Sequence, residues 1–261
     1  MVESSLADTA QPADGAALVT VRRLVKTFGK TRALDDISMQ VYAGETFGLI
    51  GPNGSGKTTL IRTLLGIAAP TTGEALLLGQ RMPNRAVSSQ VGYMSQASVL
   101  YSDLSVRENL AFFGALYGLD NEQLRRRIDE VSREVALADR LDGPLHTFSG
   151  GMQRRASLAC ALIHQPELLI LDEPTVGLDP VLRRAFWARF HQLAQAGRTL
   201  IVTSHIMDEA GRCDLLAFIR DGRLLASGTP EALRRLTGQL DLEEAFLALA
   251  EHEKLPAEEA R

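Results

Sequence analysis

The sequence predicts an α/β fold: a core on a parallel sheet, an antiparallel β subdomain, and an inserted α-helical subdomain. Three observations predict it. Residues 51–59, Gly-Pro-Asn-Gly-Ser-Gly-Lys-Thr-Thr, follow an apolar strand and open a helix. Leu168–Leu171 is a wholly apolar run, as expected of a strand buried on both faces of a parallel sheet. Between these two segments the apolar positions recur at helical rather than strand spacing.

Taken in order, residues 1–16 are mostly Ala, Ser, Asp, Gln and Pro without periodicity and read as a disordered tail. Apolar strands are expected at 17–25, 36–41 and Glu45–Ile50, then a helix from Lys57 to about Gly66 and a strand near Ala75–Leu78. The stretch 91–95 runs into the polar Gln96. Residues 105–118 and 121–137 read as helices, with Leu110, Phe113, Leu116 and Tyr117 as apolar positions of the first. The helical insert is expected over about 97–165, ending with the helix after Ser149. Pro180 opens a helix to about Ala196, and Thr199–Thr203 is the next strand. Strands at 214–219 and 223–227 flank Asp221-Gly222, a strong hairpin signal. Asp241 with Glu244 resembles a capping box ahead of the stripe Leu242, Ala245, Phe246 and Leu249. The expected organisation is therefore a tail, one main domain over 17–240, and a C-terminal helix with a polar end over 241–261.

Composition narrows the function. The 261 residues are 45% hydrophobic, enough for one large or two modest cores. A net charge of -4 suggests no basic face, so no nucleic-acid partner is expected. Cys160 and Cys213 are too few for a disulfide framework or a metal cluster and read as core thiols in a reducing cytosol. No apolar run approaches the ~20 residues that span a bilayer, and no secretory signal opens the chain. Membrane contact is thus expected only through a partner.

The segment 51–59 fits GxxxxGK[ST] at Gly51, Gly56, Lys57 and Thr58. Glycines let backbone N–H groups converge on phosphate oxygens, and the following helix start adds its positive end. Lys57 is expected on the β- and γ-phosphates and the Thr58 hydroxyl on Mg²⁺, with Asn53, Gly54, Ser55 and Thr59 completing the cradle. The strand–loop–helix context confirms a P-loop NTPase core that binds ATP or GTP. Further on, Leu168-Leu169-Ile170-Leu171 delivers Asp172 and Glu173. Asp172 would hold the Mg²⁺ through water, and Glu173 would orient and polarise the attacking water. Such a pair separates the chain from kinases and small GTPases.

Phe148-Ser149-Gly150-Gly151-Met152-Gln153-Arg154-Arg155 closely resembles the signature of ABC ATPases, usually written LSGGQ. It lies between the two nucleotide motifs, as in that family. Gln96 is similar to the Q-loop glutamine, Gly177-Leu178-Asp179 to the D-loop, and Ser204-His205 to the switch histidine. Phe28 is similar to the aromatic that stacks on adenine. The resemblance spans about Leu18 to Gly228, with two departures: Phe148 replaces the usual Leu, and Met152 stands where Gln is normal. Neither removes backbone donors.

The resemblance implies ATP with Mg²⁺, the metal facing Thr58, Gln96 and Asp172. It implies a head-to-tail homodimer in which Ser149, Gly150 and Gly151 read the γ-phosphate held by the other copy. His205 would touch that phosphate, and Asp179 would couple the two sites. Chromosome-maintenance relatives carry a long coiled coil, DNA-excision relatives zinc-binding cysteines, and translation factors two ATPase domains; none of these is present. Val91–Leu119, Glu173–Pro180 and the ending Leu242-Glu-Glu-Ala-Phe-Leu resemble bacterial drug, lipid and polysaccharide exporter ATPases. The expected protein is an exporter ATPase, peripheral on the cytoplasmic face of the membrane beneath a separate transmembrane permease subunit. Val99, Leu100 and Tyr101 are its candidate contacts. The alternatives are an importer ATPase and a soluble ATPase acting on ribosomes or DNA.

Overall fold

A computed structural model describes residues 17–97 and 99–252; the tails expected at 1–16 and 253–261 lie outside the described residues. The strands are β1 (Ala17–Phe28), β2 (Thr31–Tyr42), β3 (Thr46–Ile50), β4 (Thr72–Leu77), β5 (Gln80–Arg81), β6 (Val91–Met94), β7 (Leu168–Asp172), β8 (Thr199–Ser204), β9 (Leu215–Arg220) and β10 (Arg223–Gly228). The helices are α1 (Lys57–Leu64), α2 (Arg85–Ser88), α3 (Val106–Leu116), α4 (Asn121–Glu134), α5 (Gly150–Leu162), α6 (Pro180–Gln195), α7 (Pro230–Thr237) and α8 (Leu242–His252). The chain forms two compact units, one from residues up to Val87 together with those from Ile201, the other Ser88–Leu200.

In the first unit an antiparallel sheet has the order β2-β1-β4-β5. Alternation decides which face is buried: Leu34, Ile37, Met39 and Val41 of β2 point inward with Val19, Val21 and Leu24 of β1. The same unit holds β3, every residue of which is buried, paired in parallel with β9. Strand β9 turns through Asp221-Gly222 into β10, and the order here is β10-β9-β3-β8. Helix α8 packs its Phe246 edge-on against Phe218 of β9, ring centroids 5.4 Å apart. Asp241 accepts the Glu243 N–H at 2.6 Å at the start of that helix.

The second unit pairs β6 with β7 in parallel, Val91 opposite Leu168 through Met94 opposite Leu171. Around them lie α3, α4, α5 and α6. Helix α3 opens with a capping box between Ser105 and Glu108, and α4 with one between Asp120 and Gln123, so orphan N–H groups at both starts are satisfied. The C-terminal end of α5 is held by the buried Arg127, which donates to the Ile163 carbonyl at 3.0 Å and the Leu162 carbonyl at 2.9 Å.

Three expectations change. Helix α3 exists, but Leu116 is 67% exposed; the buried face is Val106, Asn109, Leu110 and Gly114, because the polar Asn109 occupies a core position. Helix α4 stops at Glu134, and Ala136 turns the chain with a left-handed φ of 55°. Helix α7 is an addition, capped by Thr229, opened by Pro230 and closed by Gly238 in the left-handed region. Among the described residues no helix is long and apolar enough to cross a membrane.

His164 follows α5 and stacks flat on Tyr117, centroids 3.6 Å apart and planes 8° apart. Burial, reinforced by the Arg127 and Arg198 guanidinium groups, pushes its imidazole down to about 4. An unfolded histidine titrates near ~6.5, so the unfolded chain binds the proton first as pH falls. Neutral His164 thus contributes stability above that value, lost progressively as pH falls towards about 4. His164→Phe keeps the stack without the titration and is expected to lessen the drop in unfolding temperature across this window. An unchanged acid limb would show that His164 is not part of it.

Candidate functional site

The phosphate loop belongs to the first unit. Strand β3 brings it to the edge of the core, and the Gly51 N–H bonds the Ser204 carbonyl at 3.1 Å. A Cβ on Gly51 would stand 2.0 Å from the Ile219 carbonyl, so only glycine fits. Gly54 and Gly56 take φ of 80° and 107°, which wraps the loop back on itself. Lys57, 4% exposed, sends its ammonium into the loop, donating to the Gly51 carbonyl at 2.8 Å and the Pro52 carbonyl at 3.0 Å. Ser55 is buried, Thr58 and Thr59 are half-buried in the first turn of α1, and Asn53 and Gly54 are exposed. A buried cation beside a glycine loop at a helix start is an arrangement that favours an anion.

Two further candidates sit in the same unit. Phe28 ends β1 with its ring 54% exposed and the Lys26 ammonium 4.8 Å from its centroid. His205 follows β8 on a loop braced from inside: the Ser204 hydroxyl donates to the fully buried Glu209 at 2.6 Å and accepts the Ile206 N–H at 3.0 Å. Sequence reading did not single out Glu209; its only signal was an acidic residue five positions after Ser204.

The second unit assembles the other group. Strand β7 delivers Asp172 and Glu173, 1% and 5% exposed. Glu173 holds a left-handed φ of 49°, a conformation that costs a non-glycine residue roughly 1–2 kcal/mol. Gln96 donates its side-chain amide to the Glu173 carboxylate at 3.2 Å, so two residues 77 positions apart meet. Arg154, also missed in the sequence, reaches this point from α5. Its guanidinium donates to the Ser95 carbonyl at 3.4 Å, and its pKa is lowered by burial, opposed by the charge of Glu173.

The signature segment starts α5. Ser149 caps the helix through the Met152 N–H at 3.4 Å, and nothing lies within 4 Å of where a Gly150 Cβ would point. A Cβ on Gly151 would meet Leu182 of α6 at 2.6 Å, so the two helix starts touch through glycine. Phe148 is 8% exposed and takes the core place of the usual Leu. Gln153, one position late, bonds the Leu145 and Phe148 carbonyls at 3.3 and 3.1 Å and stiffens the turn. Asp179 is the N-cap of α6, accepting the Val181 and Leu182 N–H groups at 2.9 and 3.0 Å.

The glycine loop between β3 and α1 defines an α/β protein of the P-loop class. The ABC transporter family profile matches residues 34–176, and the chain belongs to that family. It is 37% identical over 248 residues to the probable multidrug ABC transporter ATP-binding protein YbhF of Escherichia coli, across 92% of this chain and 43% of that protein. It is 42% identical over 220 residues to the Nod factor export ATP-binding protein I of Cupriavidus pinatubonensis, across 83% and 68%. The chain thus spans less than half the length of the multidrug relative. A solved ATP-binding subunit of an ABC transporter superposes with a TM-score of 0.81 at 32% identity, covering 89% of this chain and 99% of that one.

Because Asp179 caps α6, its removal has a structural cost separable from any coupling role. Asp179→Ala is expected to destabilise the fold by about 1 kcal/mol, whereas Asp179→Asn, which keeps an accepting oxygen, holds the unfolding midpoint. Denaturant titration decides; equal losses in both variants would place the carboxylate charge, not the cap, first.

Proposed function

We propose that the chain binds and hydrolyses ATP as the energy-coupling subunit of an ABC exporter. The observation that carries this reading is the buried Lys57 ammonium held inside a glycine loop by the Gly51 and Pro52 carbonyls, at the start of α1. In that reading the phosphates replace those carbonyls as partners of Lys57, and N–H groups of 53–59 ring them. The exposed Phe28 supplies a face for adenine. Glu173, oriented by Gln96, accepts the proton of the attacking water, and His205 contacts the γ-phosphate. Thr58, Asp172 and Gln96 offer oxygen donors only, the set Mg²⁺ prefers, and would hold the ion that neutralises phosphate charge.

The signature supports a homodimer. Ser149, Gly150 and Gly151 present N–H groups at the start of a 13-residue helix, with open space beyond Gly150. An anion brought by a second copy fits there, and Asp179 at the neighbouring helix start would report its arrival. Export is supported by the two relatives named for multidrug transport and Nod factor export. A permease partner is supported by an apolar cluster in the second unit: Val99, Tyr101, Phe112 and Leu116 are 60%, 49%, 40% and 67% exposed. Tyr101 and Phe112 pack edge-on at 4.9 Å, and buried Asn109 clasps the Tyr101 backbone with bonds of 2.9 and 3.0 Å. In this reading the protein works on the cytoplasmic face of the membrane, beneath its permease partner.

Glu173→Gln is expected to keep ATP binding and lose at least about 100-fold in turnover. Purified from its host's detergent-solubilised membranes with ATP, that variant should bring down a polytopic membrane protein; ribosomes or DNA in its place would end the transport reading. Adding Tyr101→Asp should release the membrane protein while leaving ATP binding unchanged. Retention of the partner would move the docking face elsewhere.

A further inference from the structure

Three segments of the first unit, far apart in sequence, are joined by a bracket of hydrogen bonds and charges. The tip of the β9–β10 hairpin lies between the phosphate loop and the start of β2. The Gly222 N–H donates to the Ser55 carbonyl at 3.0 Å, and the Gly222 carbonyl accepts the Asp35 N–H at 2.8 Å. Asp221 and Gly222 take φ of 47° and 79° to make this double contact. No side chain fits there, since a Cβ on Gly222 would stand 2.8 Å from the Ala33 carbonyl. Gly56 of the phosphate loop meets the same wall, its Cβ position also 2.8 Å from that carbonyl.

Side chains reinforce the backbone contact. Arg223 donates to Asp35 at 2.7 Å from one side, and Arg32 donates to its other oxygen at 2.7 Å. The Asp35 side chain is only 13% exposed, and the Arg223 guanidinium holds its carboxyl below the usual carboxylate range. Arg32 in turn sits opposite Thr27 in the β1–β2 register, one step from the pair Phe28–Thr31. The network therefore runs unbroken from the Phe28 end of the β1–β2 hairpin to the carbonyl of Ser55.

We propose that Asp35, Gly222 and Arg223 are positioning residues that fix the distance between the phosphate loop and the Phe28 hairpin. A nucleotide gripped at both base and phosphate gains the full sum of the two grips only when their separation is set beforehand. Nothing in the bracket touches a reacting atom; it acts through Ser55 and through β2. The proposal rests on the nucleotide reading of the loop and of Phe28 given above.

The test compares ATP with inorganic tripolyphosphate, which carries the phosphate chain without a base, by calorimetric titration of the full chain. Arg223→Ala is expected to weaken ATP about fivefold while tripolyphosphate stays within about twofold. Arg223→Lys should recover most of the loss, because the ammonium can still meet Asp35. Asp35→Asn, nearly isosteric, should repeat the ATP-selective loss and serves if Arg223→Ala lowers the unfolding temperature. Unchanged ATP affinity would overturn the bracket, and so would equal losses for both ligands, which mark mere support of the loop's own fold. A wild-type chain that binds neither ligand would remove the nucleotide reading and the bracket together.

Discussion

At one point between β3 and β9 the chain has room for backbone only, and the phosphate loop's placement follows from it. Gly51 stands where any side chain would run into the Ile219 carbonyl, and Gly48 stands where one would strike the sulfur of Cys213 at 2.6 Å. Strand β3 can therefore lie flush against β9 from Phe47 to Ile50, with all five of its residues buried. Its start is pinned by reciprocal bonds, the Thr46 N–H to the Asp214 carboxylate at 2.8 Å and the Asp214 N–H to the Thr46 carbonyl at 2.9 Å. Its end is pinned by Gly51 to Ser204. A strand fixed at both ends delivers its loop to one place, and the left-handed glycines that follow wrap that loop back on itself. Flexibility is confined to where left-handed backbone is required, and the rest of the strand is Phe, Leu and Ile packed as core.

The fold was legible wherever one short stretch carried its own instructions. The phosphate loop, the apolar run into Asp172-Glu173 and the Asp221-Gly222 turn each specify local conformation without outside help. Helix α7 was not seen, although Thr229, Pro230 and Gly238 are the residues that start and stop helices. Eight residues give too few turns for an apolar period to stand out. The buried face of α3 was misplaced for a different reason. Its core side includes Asn109, whose amide bonds the backbone of Tyr101 and Ser105, and Gly114, whose missing Cβ makes room for Leu124 at 2.4 Å. A polar residue and a glycine on the inner side shift the apparent stripe around the helix, leaving Leu116 outside.

The candidate site shows the same division. Residues proposed to meet phosphate or water sit in motifs, so Lys57, Asp172, Glu173 and Ser149 could be named from order and spacing. Their braces could not. Arg154 reaches Ser95 across 59 positions and Glu209 holds the hydroxyl before His205, each a single polar side chain with no local pattern around it. Gln153 illustrates how departures from the usual signature are absorbed. Its amide ties two carbonyls of the preceding turn, so Ser149 keeps its cap and Gly150 its open N–H, whatever stands at position 152.

Viewed as stability alone, the end of β7 is poorly made. It buries two adjacent carboxylates and forces Glu173 into a left-handed backbone that an asparagine or glycine would adopt more readily. Burial of an acid is tolerable only with donors at hand. Gln96 supplies one as a neutral amide, and Arg154 sets a positive charge nearby. A bidentate arginine in place of Gln96 would hold Glu173 more strongly, but would engage both carboxylate oxygens. The strand end thus aims the acid through its own backbone and a neutral amide donor. That arrangement suits the general-base role proposed for Glu173.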